Sequence, residues 1–447
     1  MKPSFIQTRG TEFVLDGQPI RLRGYTLGTW MNLEHFMVGL PGTHTMIRRA
    51  FADVYGKERA DSLFEHFLDC MVREDDIAFL KSLGTNAVRI PFGYRLFIDD
   101  RNPSCYLESG FAALERVIGY CRKHQLYAIL DLHAAPGSQN NDWHSDNMTG
   151  QSLLWQYDYF QQQTCDLWRE IASRYADDPW VVGYDVLNEP GYDMDADTLN
   201  GFYRRAISSI RQVNPNHIIF LEGSDFGRCF DLLEDPDDPQ IAYAFHFYPF
   251  VLDEDVLDPT MPEEKRDAFF HQLFDKQIEP CLRFGRPLWC GESGYNIPMD
   301  QEPFTTSLIL KNIQLCEERG YSWSLWTYKD AGRMGIVYPR LDSPWMTMRR
   351  KMEARWTHEY EQASSMKFIR AIGEQYLGPL TDELAYDLDF RVRSILHCIG
   401  VEQVLKPTLR SIPWEEMRTY PESFLLENCG RHQQMIDAVS AVLKQSK

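Results

Sequence analysis

Eight short apolar runs recur between residues 21 and 329, and helical patterns lie between them. The runs are nearly continuous in apolar residues, which is typical of strands buried on both faces of a parallel sheet. Eight strand–helix alternations in one chain predict an α/β fold, a closed (β/α)8 barrel of the TIM type, rather than an open sheet. The runs are RLRGYTLG (21–28), NAVRIP (86–91), YAILDLH (127–133), VVGYDVLNE (181–189), IIFLEG (218–223), IAYAFHFY (241–248), PLWCGESG (287–294) and SWSLWTYK (322–329).

Local signals define several of the connections. Residues 13–24 predict a hairpin with Asp16-Gly17 at its turn. Gly84 predicts the end of the helix before the second strand, and Ser109 predicts the N-cap of the helix before the third. Apolar residues three and four apart predict two helices, with the stripes Phe111, Leu114, Val117, Ile118 and Cys121, and Phe160, Thr164, Leu167, Ile171 and Tyr175.

The strand signals stop near residue 345. A barrel alone takes about 250 residues, so we predict two domains: residues 1–345 form the barrel with its N-terminal hairpin, and residues 346–447 form a helical C-terminal extension. Packing on the barrel is its favoured role, with substrate binding or oligomerisation as alternatives. Two helical stripes define it: Leu384, Leu388, Val392, Ile395 and Ile399, ending at Gly400, and Ile436, Val439 and Leu443.

Charge and composition exclude some classes of partner. The net charge of −19 argues against nucleic acid or an anionic membrane, since both require a basic surface. The first residues lack an apolar signal segment, no run is long enough to span a membrane, and the ten Cys show no CxxC pair. We expect a cytoplasmic protein with free thiols, with a secreted mature form as the alternative. The sequence leaves the oligomeric state open.

Polar residues stand at the ends of these apolar strands. The active site of a (β/α)8 barrel lies at the carboxyl ends of its strands, and buried polar groups cost free energy unless they are paired or used. Polar or aromatic groups at seven strand ends therefore indicate a built site. They are Arg89, His133, Asn188 with Glu189, Glu222, His246 with Tyr248, Glu292, and Trp326.

Glu189 and Glu292 end the fourth and seventh strands, on facing sides of the predicted barrel mouth. Retaining glycoside hydrolysis requires such a pair about 5–5.5 Å apart, one as acid/base and one as nucleophile. Asn188 can donate to the sugar 2-OH, while Arg89 and Tyr248 can keep Glu292 ionised. We expect the charge of Glu292 to raise the pKa of Glu189 and keep it protonated. His133 and His246 would hold the network or contact the sugar, and Trp326 would form the floor of the −1 subsite.

Six motifs carry a family resemblance: NAVRIP (86–91), Asp131-Leu132-His133, Asn188-Glu189-Pro190, His246-Phe247-Tyr248, Gly291-Glu292 and Trp326. Together, over residues 20–330, they resemble glycoside hydrolase family five. The resemblance implies a carbohydrate substrate, net retention and no metal or cofactor. It makes Glu189 the acid/base and Glu292 the nucleophile. The supporting shell would be Arg89, His133, Asn188, His246, Tyr248 and Trp326. Ser293-Gly294 after the nucleophile departs from many members, where Phe or Trp follows.

Two long loops bear on specificity, residues 28–51 and 134–150. The second resembles the matching loop of exo-acting glucanases in the family, and both also resemble a branch that includes furanosidases. We expect a closed pocket and release of terminal sugars. Terminal β-glucose or β-mannose, α-L-arabinofuranose and β-D-galactofuranose stay open as substrates. The candidate residues for binding the terminal sugar are Glu34, Asn141, Asp142, Trp143, His144 and Asp146.

Three other functions stay as alternatives. An endo-acting cellulase or mannanase would have the same catalytic pair but an open cleft. A catalytically inactive carbohydrate-binding barrel would keep the fold, although both carboxylates are present. A metal-dependent hydrolase is disfavoured because His133 is the only His of its strand and no HxH motif ends a strand.

Overall fold

The computed structural model describes residues 4–445, and its centre is a closed barrel of eight strands. Every strand pairs in parallel with both neighbours, and β8 closes on β1. This confirms the predicted barrel. The strands are β1 Arg23–Thr26, β2 Ala87–Gly93, β3 Tyr127–Ala134, β4 Val181–Asp185, β5 Ile218–Glu222, β6 Ile241–His246, β7 Leu288–Glu292 and β8 Ser322–Leu325.

Twelve helices of nine or more residues lie within the described chain. They are α1 His44–Tyr55, α2 Lys57–Met71, α3 Glu74–Ser82, α4 Glu108–His124, α5 Asp158–Arg174, α6 Ala196–Arg211, α7 Glu263–Leu282, α8 Glu302–Arg319, α9 Pro344–Glu353, α10 His358–Ile372, α11 Asp382–Gly400 and α12 Gln433–Gln445. No helix among residues 4–445 is long and apolar enough to cross a membrane.

Short elements complete the chain. One-turn α-helices are His35–Val38, Ser224–Gly227, Pro249–Leu252, Lys406–Arg410 and Trp414–Met417. Turns of 3-10 helix are Tyr94–Leu96, Trp143–Ser145, Glu254–Leu257, Tyr420–Phe424 and Leu426–Asn428; π-helical turns are Gly373–Leu377 and Val401–Leu405. The minor strands are Gln7–Arg9, Glu12–Leu15, Gln18–Pro19, Ile98–Asp99, Asn102–Tyr106, Val337–Pro339 and Cys429–Arg431.

Two local predictions were wrong. Between β5 and β6, residues 223–240, which are all described, contain only the one-turn helix Ser224–Gly227 instead of a full barrel helix. Helix α4 begins at Glu108 with Leu107 at the N-cap position, so Ser109 is inside the helix and not its cap. The carboxylate of Glu108 in the first turn supplies the negative charge that favours a helix N-terminus.

The N-terminal hairpin closes the bottom of the barrel. Asp16 and Gly17 form its turn with positive φ angles of 51° and 77°, as predicted. Phe13 from the hairpin packs on Phe220 inside the barrel, with ring centroids 5.9 Å apart. This apolar plug belongs to a separate buried cluster that fills the lower barrel. Inward-facing polar groups can therefore collect only at the opposite, carboxyl end of the strands.

The chain after residue 345 is mainly helical, and one strand in it was not predicted. Cys429–Arg431 pairs antiparallel with Val337–Pro339. The boundary between two domains at residue 345 stays a prediction. All ten cysteines are free thiols, six of them buried.

Helix α11 differs from its prediction in two ways. Three of its five stripe residues, Leu384, Ile395 and Ile399, are exposed by 45%, 54% and 51%, so the predicted buried face was wrong for these three, whereas Val392 is buried. The helical backbone also continues past Gly400 through Val401–Leu405 to Arg410. Gly400 is required by close packing rather than by a helix end, because an added Cβ would lie 2.8 Å from Pro41 Cβ.

Helix α12 packs on the barrel as its stripe predicted, with Ile436, Val439 and Leu443 buried. It lies against Gly84, which has a φ of +102° directly after α3 and so ends that helix as predicted. An added Cβ at Gly84 would lie 3.0 Å from Leu443 Cβ. Both the backbone conformation and this contact favour glycine here.

Gly84→Ala should lower the free energy of unfolding by about 1–3 kcal/mol, because it combines backbone strain with a tight contact. Gly201→Ala is the matched control: Gly201 lies inside α6 with nothing within 4 Å of an added Cβ, and alanine should stabilise that helix by about 0.5–1 kcal/mol. Thermal unfolding followed by circular dichroism measures both. Equal melting temperatures for the two variants would contradict this account of Gly84.

Candidate active site

Arg89 on β2 is the centre of the polar cluster at the carboxyl end of the barrel. It is fully buried and donates to Glu292 on β7, to Asp185 on β4 at 3.0 and 3.2 Å, and to Glu222 on β5 at 3.3 Å. Asp131 on β3 lies 3.2 Å away. Burial opposes the positive charge, but these carboxylates together hold the pKa of Arg89 well above its ordinary value. The Arg89 side chain thus links its own strand β2 to the four strands β3, β4, β5 and β7.

Glu292 is held in its ionised form. Its carboxylate accepts from Arg89 and from the Tyr248 hydroxyl at 2.8 Å. Burial alone would raise its pKa, but the cationic His246, Arg89 and His133 and the Tyr248 hydrogen bond lower it to about 2. An ionised, oriented carboxylate is the form that a nucleophile requires.

Glu189 follows β4 with a positive φ of 48°, a conformation that non-glycine residues adopt only when their surroundings hold it. Its N–H donates to Glu222 at 2.7 Å, and its carbonyl accepts from the Asn140 side chain at 2.8 Å. Its carboxylate lies 2.6 Å from His246 Nδ1 and 3.2 Å from His144 Nε2. Hydrogen bonds to the N–H and to the carbonyl of Glu189 therefore hold its backbone and direct its side chain into the site.

The expected pKa of Glu189 was wrong for the free protein. Burial and the negative charge of Glu292 both raise the pKa of Glu189, which is the expected direction. The hydrogen bond and positive charge of His246, with a smaller effect of His144, outweigh these two effects and lower the pKa of Glu189. The carboxylates of Glu189, Glu222 and Glu292 in turn raise the pKa of His246 well above its ordinary value against the effect of burial. The proton of the Glu189–His246 pair therefore resides on the imidazole.

The two candidate catalytic carboxylates are close together. One oxygen of Glu189, one nitrogen of His246 and one oxygen of Glu292 all lie within 4.8 Å of one another. Retaining glycosidases keep the two carboxyl groups about 5–5.5 Å apart, whereas inverting ones need about 6.5–9.5 Å to admit a water. The spacing fits direct attack by Glu292 on the anomeric carbon.

His133 connects the first loop to this network. Its Nδ1 lies 2.9 Å from Asp131, and its Nε2 lies 3.2 Å from Glu34. Burial lowers the pKa of His133, but Asp131 and Glu34 raise it to about 10, so the ring is cationic. It stacks on Trp326 with centroids 5.2 Å apart and planes at 8°. The buried Trp326 ring lies at the end of β8, where the sequence predicts the sugar platform.

The side-chain amide of Asn188 has a paired oxygen and an unpaired nitrogen. Its Oδ1 accepts from Arg89 at 2.8 Å. Its buried Nδ2 has no hydrogen-bond partner among residues 4–445. A buried amide donor without a partner costs free energy, and a sugar hydroxyl would satisfy it. This geometry suits the predicted donation to the 2-OH.

The loop of residues 134–150 reaches the site mainly through His144, which contacts Glu189. Trp143 packs instead on His35, with centroids 4.3 Å apart. Asn141 bonds to Ser152 and Tyr192, and Asp146 bonds to Thr45 and Arg95. Asp142 accepts from the Trp143 N–H. Asn141, Asp142 and Asp146 therefore shape the loop, and their side chains are already engaged there.

Four residues of this network have no role predicted from the sequence: Asp131, Asn140, Asp185 and Glu222. Asp131 and Asp185 are charged residues inside apolar strands. Their positions could have indicated a charge cluster, because a carboxylate buried in a parallel sheet needs a cation. Glu222 was recognised only as a polar strand end. Asn140 gave no signal, because its contact with Glu189 depends on how the loop folds back.

A close pair of carboxylates at the ends of strands four and seven of a closed barrel, at a spacing that suits retention, is the arrangement of a barrel glycosidase. Residues 59–332 match the family model described as cellulase, glycosyl hydrolase family 5. The chain belongs to glycoside hydrolase family 5.

Similar proteins include a "Beta-xylosidase" of Phanerodontia chrysosporium, 38% identical over 79% of this chain and 76% of that protein. "Endoglucanase C" of Acetivibrio thermocellus is 31% identical over 59% of this chain and 86% of that protein. Among solved structures, an endogalactoceramidase has a TM-score of 0.54 with 17% identity, covering 73% of this chain and 75% of its own. This last likeness is one of fold alone.

Replacing the nucleophile tests the role of Glu292. Glu292→Ala should lower kcat by about 10⁵-fold or more, since loss of a covalent nucleophile has effects on that order, and added azide should restore turnover by occupying the vacated space. Steady-state hydrolysis with and without azide measures this. Glu264→Ala, in the exposed first turn of α7, should keep wild-type rates. Near-normal activity of Glu292→Ala without azide would remove this residue from the role.

The acid role of Glu189 predicts a dependence on the leaving group. Glu189→Ala should lower kcat/KM by about 10²–10⁴-fold on natural glycosides, because their leaving oxygen needs a proton. Aryl glycosides with acidic phenols should lose much less. Comparing kcat/KM across phenols of different pKa measures the effect. Equal losses on good and poor leaving groups would count against Glu189 as the acid.

Proposed function

We propose that this protein is an exo-acting retaining glycosidase that releases a terminal β-linked pyranose, with xylose first and glucose second among the candidate sugars. The observation that carries the proposal is a set of aromatic contacts beside the catalytic pair, from which we infer that one end of the cleft is closed. The loop of residues 134–150 and the helices α10 and α11 lie together beside the catalytic pair.

Several contacts support this closure. Phe390 of α11 stacks on Phe226, with centroids 6.0 Å apart, and Phe226 in turn lies 6.0 Å from the His144 ring. Tyr386 of α11 packs on Tyr192 at 5.2 Å. His144 contacts Glu189, so two residues, Phe226 and His144, separate α11 from the proposed acid/base. We expect this wall to stop a polysaccharide chain from continuing past the catalytic pair.

The exposure of the catalytic groups points the same way. The side chain of Glu292 is 6% exposed and that of Glu189 is 13% exposed. An endo-acting enzyme needs an open groove that admits several sugars on both sides of the scissile bond. We expect a pair this well covered to admit one terminal sugar.

The choice of sugar rests on the relatives. The relative named "Beta-xylosidase" is aligned over 79% of this chain and 76% of its own length, and its name puts xylose first among the candidate sugars. The endo-acting alternative is favoured by the endoglucanase relative, whose alignment covers a smaller share of this chain. Furanosides stay as a third possibility from the loop resemblance.

A panel of nitrophenyl glycosides tests the proposal: β-xyloside, β-glucoside, β-mannoside, β-galactoside, α-L-arabinofuranoside and β-D-galactofuranoside. We expect turnover of the β-xyloside or β-glucoside, and single sugars as the first products from matching oligosaccharides. Viscosity of a soluble xylan or glucan should fall slowly relative to sugar release. Rapid viscosity loss with oligosaccharide products would establish the endo-acting alternative, and turnover of a furanoside alone would overturn the pyranose assignment.

A further inference from the structure

A second buried cluster of ionisable groups lies between the first barrel loop and the C-terminal helices. It consists of His35 from the loop, His358 and Glu361 from α10, and His397 from α11. Glu361 is fully buried, yet neither carboxylate oxygen has a hydrogen-bond partner among residues 4–445. A buried carboxylate without donors is costly unless a cation compensates it.

The spacing of three atoms in this cluster fits one metal ion. Nε2 of His35 lies 3.0 Å from Nδ1 of His358. Oε2 of Glu361 lies 3.4 Å from the first nitrogen and 3.5 Å from the second. Three atoms at these separations lie on a circle of radius about 1.9 Å, so an ion can stand about 2.0–2.1 Å from each, the usual zinc–ligand distance.

Hydrogen bonds determine which histidines can bind a metal. Nδ1 of His397 accepts the Gly42 N–H at 3.1 Å, so the proton of its neutral ring is on Nε2, 3.5 Å from Glu361 Oε1. That nitrogen can orient the carboxylate but cannot coordinate. Nε2 of His358 lies 3.0 Å from the amide nitrogen of Gln362. Rotation of this amide by about 180° would place its oxygen against Nε2, and Nδ1 of His358 would then be free as a ligand.

Metal binding requires neutral imidazoles and an ionised carboxylate, so binding releases any protons that these groups carry. Access is available through His358, whose side chain is 20% exposed.

We propose that His35, His358 and Glu361 bind a divalent transition metal of the zinc type, with His397 as an outer partner of Glu361. Two imidazoles and one carboxylate form a donor set that zinc accepts in tetrahedral geometry, with the fourth position left for another ligand. The ion would fasten α10 to the loop that carries Glu34 and to Trp143, which packs on His35. The site is separate from the Glu189–Glu292 pair and independent of which sugar the enzyme cleaves.

Zinc binding to the full-length protein tests this site. After treatment with EDTA, isothermal titration with Zn²⁺ should give one site per chain, and Zn²⁺ should raise the melting temperature. Co²⁺ should give the visible absorption of a tetrahedral ion. His358→Ala should weaken Zn²⁺ binding by more than about 100-fold, since even an outer partner contributes about 10–100-fold. Glu361→Gln should weaken it in the same way.

Two controls separate this site from others. Glu189, His246 and Glu292 also form a group that could hold an ion, so Glu292→Ala should retain the zinc if the proposal holds. His271→Ala, at an exposed histidine, should also retain it. No Zn²⁺ binding by wild-type protein, or binding lost in Glu292→Ala but kept in His358→Ala, would overturn the proposal. The wild-type titration decides the first point even if a variant fails to fold.

Discussion

The buried guanidinium of Arg89 is the interaction on which the rest of the active site depends. Four carboxylates from four other strands converge on it within 3.3 Å or less. Without this cation, neither the ionised Glu292 nor the carboxylate cluster around it could remain buried, because each charge would lack compensation. The barrel supplies the geometry, since the carboxyl ends of its parallel strands meet at one rim, while an apolar plug fills the interior at the other end.

The location of protons decides how the pair can work. In the free enzyme the proton needed by Glu189 lies across a 2.6 Å hydrogen bond on His246, which Glu222 holds from the other side at 3.2 Å. The pair can therefore deliver a proton through Glu189 while His246 becomes neutral. In the proposed mechanism Glu292 forms a glycosyl ester, which removes its charge and with it the repulsion that raises the pKa of Glu189. Glu189 is then better suited to act as the base for the second step.

The sequence predicted the barrel and the placing of Arg89 beside Glu292, because both follow from local patterns at strand ends. It did not predict that Asp131, Asp185 and Glu222 also converge on Arg89. It could not predict the burial of α11, since periodicity shows where apolar residues lie on a helix but not which face meets a partner. Leu384, Ile395 and Ile399 are exposed, while His397 and Phe390 face the barrel loops. Asn140 and His358 could not be predicted either, because each acts through contacts between segments that are distant in sequence.

The exposed apolar residues of α11 and the mixed apolar and polar face that it buries have one physical explanation. A helix that packs over an active-site rim must bury the groups which that rim requires, and here these are aromatic rings for Phe226 and Tyr192 and a histidine for Glu361. Packing energy alone would have buried Ile395 and Ile399 instead. The orientation of α11 thus follows from its contacts with the rim of the barrel rather than from its apolar stripe.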